Sequence, residues 1–200
     1  MWTPTLPLQH PSSPRWAEMV CGQFDRFLLD HAACERKASA LAMSLVCKYS
    51  HYVALIEPMV SLAREELEHF AQVYRLIRKR NIPFVVQDEK DPYVRSMLGH
   101  IRTGREERFL DQLVLSALIE ARGYERFQLL SEHLSDPELQ TFYQDLARRE
   151  VGHYRIFIQI AERYFPSAAV EEALARISRL EQQALDAAPV QPILHGGTPI

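Results

Sequence analysis

Glu66-Leu67-Glu68-His69 and Glu150-Val151-Gly152-His153 are the stretches whose reading decides the fold. With 18 glutamates and 8 histidines in 200 residues, chance supplies fewer than one Glu-x-x-His, so a single match carries little. Two matches in the same context carry more. Glu35 precedes Glu66 by 31 residues, and Glu120 precedes Glu150 by 30. The sequence states one pattern twice: a glutamate on one helix, then Glu-x-x-His on the next.

Helical spacing places all six residues on apolar stripes. Trp16, Val20, Phe24, Phe27, His31, Glu35, Ala38, Leu41 and Leu45 keep helical periodicity from a start at Ser12-Ser13-Pro14 to about Cys47. A second helix, with Pro58 in its first turn, carries Leu62, Glu66, His69, Val73 and Leu76 and ends near Asn81. A third opens near Gly104 and carries Leu113, Ala117, Glu120, Tyr124, Phe127 and Leu130. Ser135-Asp136-Pro137 stops it and starts a fourth, with Phe142, Leu146, Glu150, His153, Phe157 and Ile160, which Pro166 ends. A fifth runs from about Ala168 to Ala187. Between the second and third lie a polar extended stretch, Ile82 to Asp91, and a short helix opening at Pro92.

No segment alternates at period two, so no sheet is expected. Two tight helical hairpins joined by one long crossover define an all-α, ferritin-like four-helix bundle, here with an additional C-terminal helix. The expected domain is 1–187, and 188–200 reads as a flexible C-terminal tail.

Apolar residues at 47% and charged residues at 24% exclude a disordered chain. No apolar run reaches the ~20 residues of a membrane span, so no membrane partner is expected. Met1 to Pro14 lacks a charged leader region and an apolar stretch, and the expected location is cytoplasmic. Cys21, Cys34 and Cys47 are odd in number and 13 apart, which suits reduced, mostly buried thiols rather than a disulfide framework or a zinc site. A net charge of −3 gives no global pull toward nucleic acid, so any such surface is local.

Residues at i and i+3 share a helix face, so one carboxylate and one imidazole can grip the same ion. Glu35 and Glu120 can then bridge or cap. The set Glu35, Glu66, His69, Glu120, Glu150 and His153 suits two octahedral-leaning divalent ions. Four buried carboxylates repel one another unless paired, and two divalent cations neutralise them. Oxygen-rich ligation without cysteine disfavours structural zinc. Iron is the expected metal and manganese its nearest competitor. Glu125 is the alternative to Glu120, but it breaks both the 30-residue spacing and the inward stripe.

The doubled pattern resembles the ferritin-like di-iron carboxylate proteins. The runs Asp30-His31-Ala32-Ala33-Cys34-Glu35-Arg36-Lys37-Ala38, Ala63-Arg64-Glu65-Glu66-Leu67-Glu68-His69-Phe70, Glu120-Ala121-Arg122-Gly123-Tyr124-Glu125-Arg126-Phe127 and Arg148-Arg149-Glu150-Val151-Gly152-His153-Tyr154 resemble the bacterial tRNA hydroxylase family. The resemblance spans Trp16 to about Ala187. It implies a dioxygen-dependent di-iron monooxygenase, with dioxygen as co-substrate and an external electron donor. The implied substrate is the isopentenyl side chain of a 2-methylthio-N6-isopentenyladenosine beside the tRNA anticodon. The rival reading is a ferroxidase or peroxide-reducing di-iron protein without an RNA substrate; a metal-free helical adaptor is a third.

Around the six ligands, His31 lies one turn before Glu35 and reads either as a partner to that carboxylate or as a core histidine. Tyr124 and Asp145 are candidates to bond the ligand imidazoles. Arg75, Arg78, Lys79 and Arg80 put four cations at the end of the second helix, where they also suit the helix dipole. With Arg102 and Arg105 after the crossover, they are the candidate phosphate contacts, given the family resemblance. Arg80 is 14 residues past Glu66, about 21 Å of helix, a distance that a folded RNA loop bridges.

Overall fold

The computed structural model describes residues 6–85 and 91–199. The first five residues of the N-terminal reading, residues 86–90 of the extended crossover and Ile200 of the tail lie outside it. Seven helices follow in order: α1 (Pro14–Gly22), α2 (Phe24–Lys48), α3 (Val53–Lys79), α4 (Pro92–Leu98), α5 (Arg105–His133), α6 (Pro137–Tyr164) and α7 (Ser167–Asp186). There is no strand among the described residues; a single bridge joins Val190 and Gly197. The all-α class and the hairpin, crossover, hairpin, extra-helix order stand as expected. The chain divides into two compact units: Gly22–Glu89 with Pro192–Leu194, and Met1–Cys21 with Lys90–Gln191 and His195–Ile200.

In the first unit, α2 and α3 form a hairpin around Tyr49–Tyr52, where the Tyr52 N–H meets the Tyr49 carbonyl at 2.9 Å. Phe27, Leu28, Ala32 and Leu45 of α2 and Leu55, Met59, Leu62, Val73 and Ile77 of α3 are buried. The Ser39 hydroxyl donates to the Ala63 carbonyl at 2.7 Å and pins the pair. Pro58 sits inside α3 rather than in its first turn, because the helix already begins at Val53. The end of α3 is sharply made. Asn81 takes φ 55°, its N–H donates to Arg78 O, and the Ile82 N–H donates to Ile77 O, both at 3.1 Å. This Schellman cap satisfies two orphan carbonyls and fixes the direction in which the chain leaves.

The first helix of the sequence reading is two helices. Its continuity breaks at Gly22-Gln23, and α1 belongs to the second unit. Glycine is a poor helix residue, and separate burial of the two halves outweighs an unbroken backbone ladder. Leu41 is correspondingly exposed instead of inward.

In the second unit, Asp91 and Asp136 cap α4 and α6, each accepting two backbone N–H bonds, with Pro92 and Pro137 as the next residues. Helix α5 packs against α6 and α7, and α4 against α7. Between α5 and α7 the Arg122 guanidinium binds Glu181 bidentately, at 2.8 and 3.0 Å, with both side chains fully buried. The Tyr93 hydroxyl also donates to Glu181, at 3.0 Å. Arg126 lies over the Trp16 ring at 4.6 Å.

The described part of the stretch expected as a flexible tail, residues 188–199, makes specific contacts. The Gly197 N–H donates to Pro189 O at 2.9 Å, and a Cβ on Gly197 would stand 2.3 Å from Ala188 O, so only glycine fits. Within the first unit, the Leu194 N–H donates to Asp30 at 2.7 Å. Within the second, His195 bonds Asp91 through Nδ1 at 2.7 Å and stacks on Tyr93, with 4.6 Å between ring centroids. Those partners are 104 and 164 residues away, beyond the reach of local composition. The cysteines also depart from expectation: all three are free, but Cys47 is exposed and Cys21 and Cys34 are half-buried.

Candidate metal centre

Each hairpin carries one half of the candidate ligand set, and each half is buried. In the first unit, Glu35 on α2 and Glu66 and His69 on α3 come together: one ligand atom of each lies within 4.8 Å of the others. His69 Nδ1 stands 3.3 Å from Glu66 Oε2 and 3.7 Å from Glu35 Oε2. In the second unit, Glu120 on α5 joins Glu150 and His153 on α6. His153 Nδ1 stands 3.2 Å from Glu150 Oε2 and 3.9 Å from Glu120 Oε2. Glu66 and Glu150 reach their histidines because i and i+3 share a helix face. The outer glutamates reach them across the hairpin.

These distances suit an ion. Around an octahedral ion with bonds of about 2.1 Å, adjacent donor atoms lie about 3.0 Å apart and opposite ones about 4.2 Å. All four carboxylate-to-imidazole distances fall between those limits. Two carboxylates and one imidazole per half make a donor set suited to iron or manganese. The inward nitrogen is Nδ1 in both halves.

His31 is fully buried and bonds Glu35 Oε1 at 2.6 Å. Burial pushes the Glu35 carboxyl up, but the His31 and His69 imidazoles outweigh it and hold the carboxyl at about 2. Glu35 is therefore ionised at neutral pH and available to a cation.

Arg122, which the sequence reading passed over, sets the face of α5. Residues two apart on a helix point about 200° apart, so clamping Arg122 to Glu181 turns Glu120 to the other side. Glu125 lies on the Arg122 side. It accepts from the Ser12 N–H at 2.6 Å, the Ser12 hydroxyl at 2.7 Å and Arg122 at 3.1 Å. The signal was present as Arg122 and Glu125 at i and i+3, but the third partner, Glu181, comes from a distant helix.

The outer candidates divide. Tyr124 is half-buried, with no side-chain hydrogen bond among the described residues, and burial pushes its hydroxyl up. Asp145 is exposed and pairs with Arg148, so it does not orient an imidazole. Arg75, Arg78, Lys79, Arg80 and Arg105 are exposed. Arg75 pairs with Glu68 at 2.8 Å and Arg80 with Asp25 at 2.7 Å. Arg102 departs from the phosphate-contact reading, because its backbone N–H and guanidinium are committed to the buried Asp111 carboxylate at 2.7–3.2 Å.

No helix among the described residues is long and apolar enough to cross a membrane. The family model described as tRNA-(MS[2]IO[6]A)-hydroxylase matches residues 5–196. The Pseudomonas putida protein named tRNA 2-(methylsulfanyl)-N(6)-isopentenyladenosine(37) hydroxylase is 33% identical over 94% of this chain and 91% of its own. A protein of the same name from Salmonella typhimurium is 40% identical over 62% of this chain and 43% of its own. Among solved structures, a Synechococcus protein with aldehyde deformylating oxygenase activity superposes with a TM-score of 0.91 at 35% identity, covering 96% of this chain and 97% of its own. The ferritin-like class read from the sequence agrees with that likeness.

Proposed function

This chain belongs to the tRNA-(MS[2]IO[6]A)-hydroxylase family, and from that membership we propose that it is a non-haem di-iron monooxygenase hydroxylating the isopentenyl side chain of 2-methylthio-N6-isopentenyladenosine in tRNA. The observation that carries the reading is the doubled half-site: buried Glu35, Glu66 and His69 on one hairpin and buried Glu120, Glu150 and His153 on the other. In this reading the first triad would hold one iron and the second triad the other. Bound iron would supply reductive activation of dioxygen and insertion of one oxygen atom into a C–H bond of that side chain, with an external donor returning the electrons.

The chain's own residues supply placement. His31 keeps Glu35 ionised and fixed in rotamer, so no proton need leave before metal loads. His69 and His153 present Nδ1 to their carboxylates, which sets the ring orientation of each imidazole ligand. Burial of all six groups would keep bulk water away from a bound metal. No side chain needs to act as a nucleophile. The oxygenase activity of the Synechococcus neighbour accords with dioxygen chemistry on this fold. A tRNA substrate sets the work in the cytoplasm.

The test is reconstitution of purified protein with Fe(II), a reductant and dioxygen on tRNA carrying the prenylated nucleoside, with nucleosides read by mass spectrometry. Conversion to the hydroxylated nucleoside, dependent on iron, is the expected result. Iron oxidation with no change in the tRNA would replace this reading by the ferroxidase one.

A further inference from the structure

The residue after the ligand His69 opens a second, outward-facing stripe of α3. Leu67, Phe70, Tyr74 and Arg78 recur at helical spacing on a face adjacent to the buried stripe of Glu66, His69, Val73 and Ile77. Phe70 and Tyr74 are half-exposed and nearly parallel, with ring planes 13° apart and centroids at 6.1 Å. The Schellman cap at Asn81 turns the chain, and Phe84 comes to stand edge-on to both rings, at 6.2 and 5.2 Å and at 65° and 77°. The three rings make a notch with a floor and a wall. Leu67 and Val85 beside it are 56% and 64% exposed.

The charge along this stretch is predominantly positive, with Glu68 as the acid that pairs with it. From Phe70 to Val85 there are four cations, Arg75, Arg78, Lys79 and Arg80, and no acid. Arg80 is engaged by Asp25 and the Phe24 ring. Among the described residues, Arg75 is held only by an exposed pair with Glu68, which contributes little and yields to a phosphate. The exposed Arg78 guanidinium has no partner among the described residues, and it sits one turn beyond Tyr74. Half-exposed aromatic faces flanked by cations are the combination that single-stranded nucleic acid uses, with bases on rings and backbone on arginine.

We propose that Phe70, Tyr74 and Phe84 form a stacking platform for an unpaired base of an RNA loop, with Arg78 contacting the loop backbone at its edge. The proposal rests on the tRNA reading above and names the surface that receives the substrate. Tyr74 is five residues past His69, about 8 Å of helix rise, so a base on the platform lies close to the metal-bearing part of α3.

An anticodon stem-loop RNA with the fluorescent base 2-aminopurine in its loop tests this on full-length, iron-loaded protein. Stacking should quench the fluorophore on binding to the parent. Tyr74→Ala and Phe84→Leu should each weaken binding about tenfold and reduce the quench, while leaving the salt dependence as in the parent. Tyr74→Phe, which keeps the ring, should retain both affinity and quench. Arg78→Ala should instead lower the slope of affinity against salt by about one ion and keep the quench of bound RNA. Iron content and melting temperature, unchanged from the parent, certify each variant as folded. If Tyr74→Ala and Phe84→Leu bind and quench like the parent, the rings only cover the core and the platform is wrong. If they keep RNA affinity but slow reduction by the electron-donor protein, the surface belongs to the donor and the proposal falls. If the parent binds no stem-loop at all, the tRNA reading fails first and takes the platform with it.

Discussion

The α2–α3 and α5–α6 hairpins carry the same pattern of candidate ligands in unlike surroundings. Their imidazole-to-carboxylate distances nearly coincide, at 3.3 and 3.7 Å in one and 3.2 and 3.9 Å in the other. What lies around them does not. Of the 29 residues of α5, 17 are buried, against 8 of the 27 in α3. One turn before the outer glutamate stands His31 in α2 but Ser116 in α5. One half is built into a core buttressed by α7; the other keeps an open aromatic and basic face. Helix geometry fixes the ligand triad wherever the spacing recurs, and the neighbouring elements decide what else each half can do.

The largest effect should come from breaking either triad. Glu66→Ala and Glu150→Ala should each cut iron from about two per chain to at most one, by metal analysis, and lower hydroxylation by more than the ~10–100-fold typical of losing an outer partner. If one variant keeps both irons and full activity, the halves are not chemically equivalent. Glu120→Ala should likewise lose iron, yet its apo-form should melt no lower than the parent apo-form, since removing one carboxylate relieves repulsion. Glu125→Ala should keep both irons.

Next in size is the buttress specific to α5. Arg122→Ala leaves Glu181 buried without its cation, with only the Tyr93 hydroxyl still donating to it, at a cost of about 3–5 kcal/mol in calorimetric unfolding. Replacing the pair together, by Met at 122 and Leu at 181, should restore much of that stability. A double variant as unstable as the single would mean that the bond to Glu125 or the Ser12 contacts carry the energy.

The contrast between His31 and Ser116 predicts a smaller asymmetry. His31→Ala should weaken iron binding at one site by about 10–100-fold, and Ser116→Ala should do so less. Equal losses in the two variants would remove His31 from any special role toward Glu35.

The smallest effect concerns the tail. Burial raises the Asp91 carboxyl, but the His195 imidazole and the Tyr93 and Val94 N–H groups together hold it below the ordinary aspartate value of 3.8. A depressed carboxyl gives stability that is present above its unfolded pKa and lost as pH falls through the folded one. Hydrogen exchange of residues 189–199 should therefore stay protected at pH 5 and open only below about pH 4. Asp91→Asn should make that protection weaker and flat across the same range.

Much of this was legible in the sequence because the signals were local. The helix pairs, the helix starts at Pro92 and Pro137 and the inward placement of Glu66 and His69 follow from spacing within a few turns. The break at Gly22-Gln23, the commitment of Arg102 to Asp111 and the pairing of Arg122 with Glu181 depend on partners from other elements. Phe70, Tyr74 and Arg78 were visible at i, i+4 and i+8, but only the return of Phe84 past Asn81 turns that stripe into a notch.

The packed tail also closes two long loops. Asp30 holds the Leu194 N–H across 164 residues of chain, and Asp91 holds His195 across 104. Loop-closure entropy grows only slowly with length, so a few buried contacts at the ends of such loops can offset the cost of closing them.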